Sequence, residues 1–103
     1  MWGYVIVDVD VQDPEAYTEY TSRVPATLLP FGGRFIVRGG AYETLEGDWS
    51  PRRIVLIEFP SLEAAKAWYF SPEYQRILPL RHRYAKTNFL TVVEGAVQPP
   101  DPS

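Results

Sequence analysis

Two arginines stand four apart in FGGRFIVRGG (residues 31–40), a short apolar run held between two glycine pairs. On an extended chain Arg34, Ile36 and Arg38 share one face and Phe35 and Val37 the other. Asp8, in YVIVDVDV, and Glu58, in RIVLIEF, also sit among apolar neighbours on alternating segments. Such a set offers binding and proton-transfer chemistry. Arg34 can grip a carboxylate or an enolate with its planar fork, with Arg38 as a second cation. Asp8 or Glu58, partly desolvated, can carry a raised pKa and accept a proton. The plainer reading is that Arg34 neutralises the two carboxylates in a buried structural network. It is preferred, because structural ion pairs perturb pKa values as well, and the two roles can coexist.

Other candidates cluster around the Ser71-Pro72-Glu73 helix start, where Trp68, Tyr69 and Tyr74 lie close in sequence. Ser71 reads first as a helix cap, worth about 1 kcal/mol, and second, with the three aromatic residues, as part of the wall of a ligand cavity. Tyr17 and Tyr20 read as core aromatics whose hydroxyls reach the edge of the core. His82 is the single histidine, so multi-histidine metal sites are excluded; between Arg81 and Arg83 it reads as a solvated surface residue. Asp8 and Asp10 share a strand face, but two alternate acids are common without a metal, and no metal site is assigned. Trp49, in a loop, is expected to pack onto a partner.

The elements that must position these groups follow from periodicity. Residues 4–11 alternate, with Val5, Val7, Val9 and Val11 on one face and Tyr4, Ile6, Asp8 and Asp10 on the other. Asp13-Pro14 announces a helix whose pattern runs through Tyr17, Tyr20, Val24 and Leu28, with a break near Arg23–Val24 imposed by Pro25. Gly32-Gly33 ends it with a left-handed cap. Residues 34–38 form the second strand, 41–53 a long hairpin connection, and 53–59 the third strand. Ser61 caps a helix over 62–70, and Ser71-Pro72 starts a short one over 72–81 that Pro79 should end or bend. Residues 88–95 are the last strand. Residues 1–95 thus form one domain, and the proline-rich tail 96–103 is expected to be disordered.

The two glycine pairs could also signal a phosphate-binding loop, but that motif needs glycines between a strand and a helix N-terminus. Here both pairs flank a strand and no helix follows either, so the nucleotide reading fails on context.

The order βαββαβ predicts an α+β, ferredoxin-like fold: a four-stranded antiparallel sheet, order 4-1-3-2, with the helices on one face. Phe35, Val37, Val55 and Ile57 suit the helix side, with the valine face of the first strand. Tyr4, Ile6, Ile36, Ile54 and Leu56 make the opposite face too apolar to leave in water, and a second copy of the sheet is the economical cover. With the first strand taken as parallel to the third, Arg34 approaches Glu58, Asp8 lies at the same level, and Arg38 lies nearer Ile54. All four charges then point to the covered face.

FGGRFIVRGG, LEGDW, IEFPSLEAAKAWYFSPEYQ and LR together resemble a bacterial family catalogued as a domain of unknown function, number thirteen-thirty, over about Tyr4 to Gly95. The resemblance implies the dimeric α+β barrel superfamily, in which two ferredoxin-like sheets enclose a cavity. Its members include cofactor-free monooxygenases, haem-degrading enzymes, muconolactone isomerases and stress-responsive proteins. Pro79, RHRY (81–84) and the proline-rich tail depart from the family pattern.

Composition narrows the function classes. The chain has 103 residues, 46% of them hydrophobic and none of them cysteine. Disulfides, thiol nucleophiles and thiolate metal sites are therefore excluded. A net charge of -3 and a pI near 5.0 give no support to nucleic-acid binding. No apolar run approaches the roughly 20 residues that span a bilayer, and the N-terminus reads as a strand, not a signal peptide, so a cytoplasmic location is expected. The reading is a homodimer that binds an unknown small anionic or aromatic molecule in the barrel cavity, with a cofactor-independent enzyme of monooxygenase or isomerase type as its catalytic form and no cofactor implied. The alternatives are a structural or interaction dimer without catalysis and, third, haem or flavin handling.

Overall fold

The computed structural model describes residues 1–97. Most of the tail expected to be disordered, 98–103, lies outside the described residues. The elements are β1 (Gly3–Val11), α1 (Pro14–Thr21), α2 (Val24–Leu28), a 3-10 turn (Leu29–Phe31), β2 (Arg34–Arg38), β3 (Ile54–Phe59), α3 (Leu62–Tyr69), α4 (Pro72–Tyr84) and β4 (Ala85–Glu94). The strands form one sheet in the order β2-β3-β1-β4 with every neighbouring pair antiparallel. This is the expected α+β, ferredoxin-like arrangement.

Local signals set most of these bounds. Asp13 accepts from the Ala16 N–H at 3.1 Å, Ser61 from Ala64 at 3.0 Å and Ser71 from Tyr74 at 3.2 Å, each satisfying a donor that the first helical turn leaves free. Gly32 closes the 3-10 turn at φ 69°, a left-handed conformation that costs a side-chain-bearing residue. Gly3 is required for a different reason. A Cβ there would lie 2.4 Å from the Ser61 carbonyl oxygen, so β1 can pass the start of α3 only without a side chain.

Three expectations are corrected, each for an identifiable reason. First, β1 runs antiparallel to β3, with Tyr4 opposite Glu58 and Asp8 opposite Ile54. In a split βαβ unit the parallel partner of β1 is β2, and β3 inserts between them running the other way. Asp8 is therefore at the far end of the sheet from Glu58. Second, a bulge between Phe35 and Val37 shifts the β2–β3 register, so that Val37 pairs with Leu56 and Arg38 with Val55. One extra residue exchanges the faces of everything after it. Val37 moves to the open face and Arg38 to the helix side. Third, α4 continues through Pro79 to Tyr84 instead of ending near it. Tyr74, Ile77, Leu78 and Arg81 are all buried along one side of this helix. Packing on both sides of the proline holds the helix together across the backbone bond that Pro79 cannot make. β4 also starts earlier than expected, at Ala85, directly after α4.

The core lies between the helices and one face of the sheet. Its largest fully buried side chains include Trp68, Tyr74, Phe59, Val5 and Val9. The opposite face has no covering layer. Ile36 and Val93 are each 42% exposed there, and Trp49 tilts over Phe89 with ring centroids 6.2 Å apart, still half-exposed.

Candidate functional site

The predicted charges separate into two groups. On the open face Arg34 donates to one Glu58 carboxylate oxygen, from Nε at 2.9 Å and Nη2 at 2.8 Å, while the Tyr4 hydroxyl donates to the other at 3.2 Å. Both oxygens of Glu58 are thus occupied. Arg34 remains 71% exposed at its side chain, and an ion pair so open to water contributes little, about 0–1 kcal/mol.

Asp8 stands apart at the other end of β1 and is only 3% exposed. One of its oxygens accepts the backbone N–H groups of Arg52 and Arg53 at 3.0 and 3.3 Å, and the other accepts from Asn88 Nδ2 at 3.3 Å. The carboxylate fastens the segment that leads into β3. Asp8 and Glu58 are not brought together, and neither has an open oxygen facing a cavity.

The second group lies on the helix side. Arg38, turned there by the bulge, lies over the Phe35 ring at 4.1 Å and donates from Nη2 to the Thr21 carbonyl at the end of α1, at 2.7 Å. It lines a small cavity between helices and sheet, together with Trp68 and Tyr74. The space open to the centre of a water molecule is about 40 Å³. An adjoining open groove of about 440 Å³ shares Val9, Tyr17, Thr21 and Arg53 with it and adds Asp10 and Arg52.

Three of the predicted binding residues therefore meet in one place, and three do not. Tyr69 packs its ring against Tyr74 at 5.7 Å but is absent from the cavity wall. The Ser71 hydroxyl is committed to capping, donating to the Trp68 carbonyl at 2.7 Å while accepting from Tyr74. Arg34 is on the opposite face.

Tyr17, Tyr20, Thr21, Arg53 and Arg81 complete the polar wall, residues to which the sequence assigns no binding role. The Tyr20 and Tyr74 hydroxyls lie 2.7 Å apart, buried, with the rings edge to face. Tyr17 stacks on Tyr20 at 5.2 Å. Trp68 packs 4.1 Å from Tyr74 and donates from Nε1 to Thr27 Oγ1 at 3.0 Å, so the indole is fixed in place.

Arg81 is 3% exposed, donates from Nη1 to Thr87 Oγ1, and leaves Nε buried without a hydrogen-bond partner. Among the described residues no carboxylate pairs with it. Among the described residues the cavity wall holds three arginines and no acid, in a chain whose net charge is -3. The positive character is thus local to the cavity.

Burial raises the hydroxyl pKa of Tyr17, Tyr20 and Tyr74 above the ordinary 10.0, with Tyr20 well above it; at Tyr74 the Arg81 guanidinium pulls the other way. The folded protein holds these protons more tightly than the unfolded chain. Their contribution to stability is complete below pH 10.0 and is lost as pH rises through the higher folded values. Thermal melts from about pH 9 to 12 should show the melting temperature falling above the ordinary tyrosine pKa. Tyr20→Phe should flatten that fall; an identical slope in the variant would contradict the assignment.

His82 is exposed, as expected. Among the described residues no group of three or more histidine, aspartate or glutamate side chains is arranged to hold a metal ion, and no helix is long and apolar enough to cross a membrane.

Residues 2–96 match the family described as Domain of unknown function (DUF1330). No curated protein matches the chain. Among solved structures it is similar to a protein of unknown function from Rhodopseudomonas palustris, at 18% identity and TM-score 0.71, covering 94% of this chain and 84% of that one. A dimeric ferredoxin-like protein of unknown function from Jannaschia sp. CCS1 matches at 16% identity and TM-score 0.64, covering 94% and 100% of the two chains. SnoaB, a cofactor-independent oxygenase from Streptomyces nogalater, matches at 11% identity and TM-score 0.63, covering 97% and 98%. At these identities the likeness is one of fold.

Proposed function

We propose that this chain, which belongs to the DUF1330 family, is a homodimeric protein that binds a small molecule between its helices and its sheet, and that it acts there without a cofactor. The observation that carries the reading is the aromatic cavity with Tyr20, Tyr74 and Arg81 in its wall, opening toward a wider groove. Small-molecule sites are mostly apolar with a few placed polar groups, and this wall has that composition. Two neutral hydroxyls and a cation in the wall of one cavity are suited to hold an oxygen on which negative charge develops. The SnoaB fold hosts a cofactor-independent oxygenase, which supports cofactor-free chemistry by analogy of fold alone.

The dimer half of the proposal rests on the uncovered apolar face. Ile36, Val37 and Val93 stay partly exposed there beside half-buried Ile6, Ile54 and Leu56, with the Glu58–Arg34–Tyr4 group among them. A dimeric ferredoxin-like neighbour supports the same arrangement. In this reading Asp8 and Glu58 hold the architecture, and the polar groups on the helix side meet the ligand.

Native mass spectrometry of the purified protein, before and after incubation with a small-molecule cell extract, tests both halves. The expected result is a dimer that carries or takes up one discrete mass per protomer. A monomer would contradict the dimer, and a dimer that never takes up a small molecule would contradict the binding function.

A further inference from the structure

We infer that the ligand is a carboxylate and that Arg81 receives its charge, an inference that rests on the cavity reading above. Arg81 is a buried cation without an acid beside it, and its Nε is the one buried side-chain polar atom without a hydrogen-bond partner among the described residues. Burying a charge unpaired is costly, and arginine does not relieve the cost by releasing its proton. An anionic ligand oxygen beside the guanidinium offsets the cost of the buried charge. A neutral ligand leaves it in place.

The geometry favours a carboxylate over other anions. The guanidinium is a planar fork that matches the spacing of carboxylate oxygens. Nη1 is already held by Thr87, which fixes the orientation of the guanidinium. The Tyr74 hydroxyl, tied to Tyr20, stands in the same wall as a further donor. The inner space of about 40 Å³ suits a group the size of a carboxylate, since one water needs roughly 10–15 Å³ by this measure. The rest of the ligand then extends past Tyr17 and Val9 into the open groove, where Arg53 lines both spaces. An apolar or aromatic body suits the Trp68, Tyr17 and Phe35 rings of the inner wall.

The test compares benzoate with benzamide, its neutral analogue of the same shape. Trp2 and Trp49 are replaced by phenylalanine so that Trp68 is the remaining tryptophan and reports on the cavity by its emission. Benzoate should bind at least about tenfold more tightly than benzamide, a factor of ten being about 1.4 kcal/mol. In the Arg81→Met protein, checked for folding by circular dichroism, that preference should fall to about one. Arg81→Lys, which keeps the charge but not the fork, should retain only part of it.

Equal affinities in the protein with Arg81 intact would overturn the carboxylate inference and leave the cavity as a binding site for neutral molecules. A preference that survives Arg81→Met would also overturn it, assigning the charge to another arginine. If neither compound changes the Trp68 emission at any concentration, the cavity reading fails and this inference fails with it.

Discussion

Arg81→Met should unfold at a urea concentration no lower than that of the unaltered protein. An arginine in a structural role would give the opposite result. Buried Arg81 has no carboxylate partner among the described residues, and its Nε makes no bond. Replacing buried ion pairs with well-packed apolar side chains is often neutral or stabilising, by up to about 1–4 kcal/mol, because the desolvation cost of the charges is removed. Methionine retains most of the length of the arginine stem and adapts to irregular space. The losses are the charge-assisted hydrogen bond to Thr87 and the contact of the guanidinium with the Tyr74 hydroxyl, a bond to a charged group being worth about 1.5–3 kcal/mol. The two terms are of similar size, so the net expectation is a urea midpoint at or above that of the unaltered protein, with an unchanged dependence on denaturant. A buried cation that adds no net stability fits a role in binding, since functional sites often retain groups that do not help the fold. A fall in the urea midpoint would instead place Arg81 in the scaffold.

Trp68→Ala should be the most damaging single truncation in the core, at about 3–5 kcal/mol. The indole is 1% exposed and packs against Phe59 at 5.5 Å and Tyr74 at 4.1 Å. Its Nε1–H is spent on Thr27, whose own hydroxyl donates to the Val24 carbonyl at 2.7 Å, so truncation also leaves an acceptor unmatched between α2 and α3. Stabilities of small domains lie at about 5–15 kcal/mol, so the loss is a large fraction of the whole. Trp68→Phe keeps the ring packing and gives up the hydrogen bond, for about 1 kcal/mol beyond the change in size. Trp49→Ala, at a half-exposed position, is the internal comparison and should cost far less. Urea unfolding of the three variants side by side checks the order. Comparable losses for Trp68→Ala and Trp49→Ala would contradict this account of the core.

The fold was legible because each strand alternates and each helix has a marked start. Asp13-Pro14, Ser61 and Ser71-Pro72 all cap where they were expected to. The pairing of Arg34 with Glu58 was legible too, since it needs only β2 antiparallel to β3. The site was less so. Asp8 stands at the other end of the sheet because β1 runs antiparallel to β3, a direction that no residue within either strand announces. Arg38 was put on the wrong face because no residue in RFIVR announces a bulge, and a bulge reverses every face after it.

Arg81 was readable in principle. Tyr74, Ile77, Leu78 and Arg81 follow the three-and-four spacing of one helix face. The signal disappears only if the helix is stopped near Pro79. Tyr17 and Tyr20 were recognised as core aromatics, but their meeting with Tyr74 and Arg81 joins α1 to α4, a contact that local periodicity does not contain.

The central claim is that ligands bind on the helix side of the sheet and not on its open face. Methyl-resolved NMR during a benzoate titration tests it most directly, because the two faces carry different methyl groups. The account predicts shifts at Val7, Val9, Val24, Ile57 and Leu90, which line the cavity. It predicts quiet signals at Ile6, Ile54, Leu56 and Val93, which pair with one another's strands on the opposite face. Shifts confined to that second set, or no shifts at all, would contradict it.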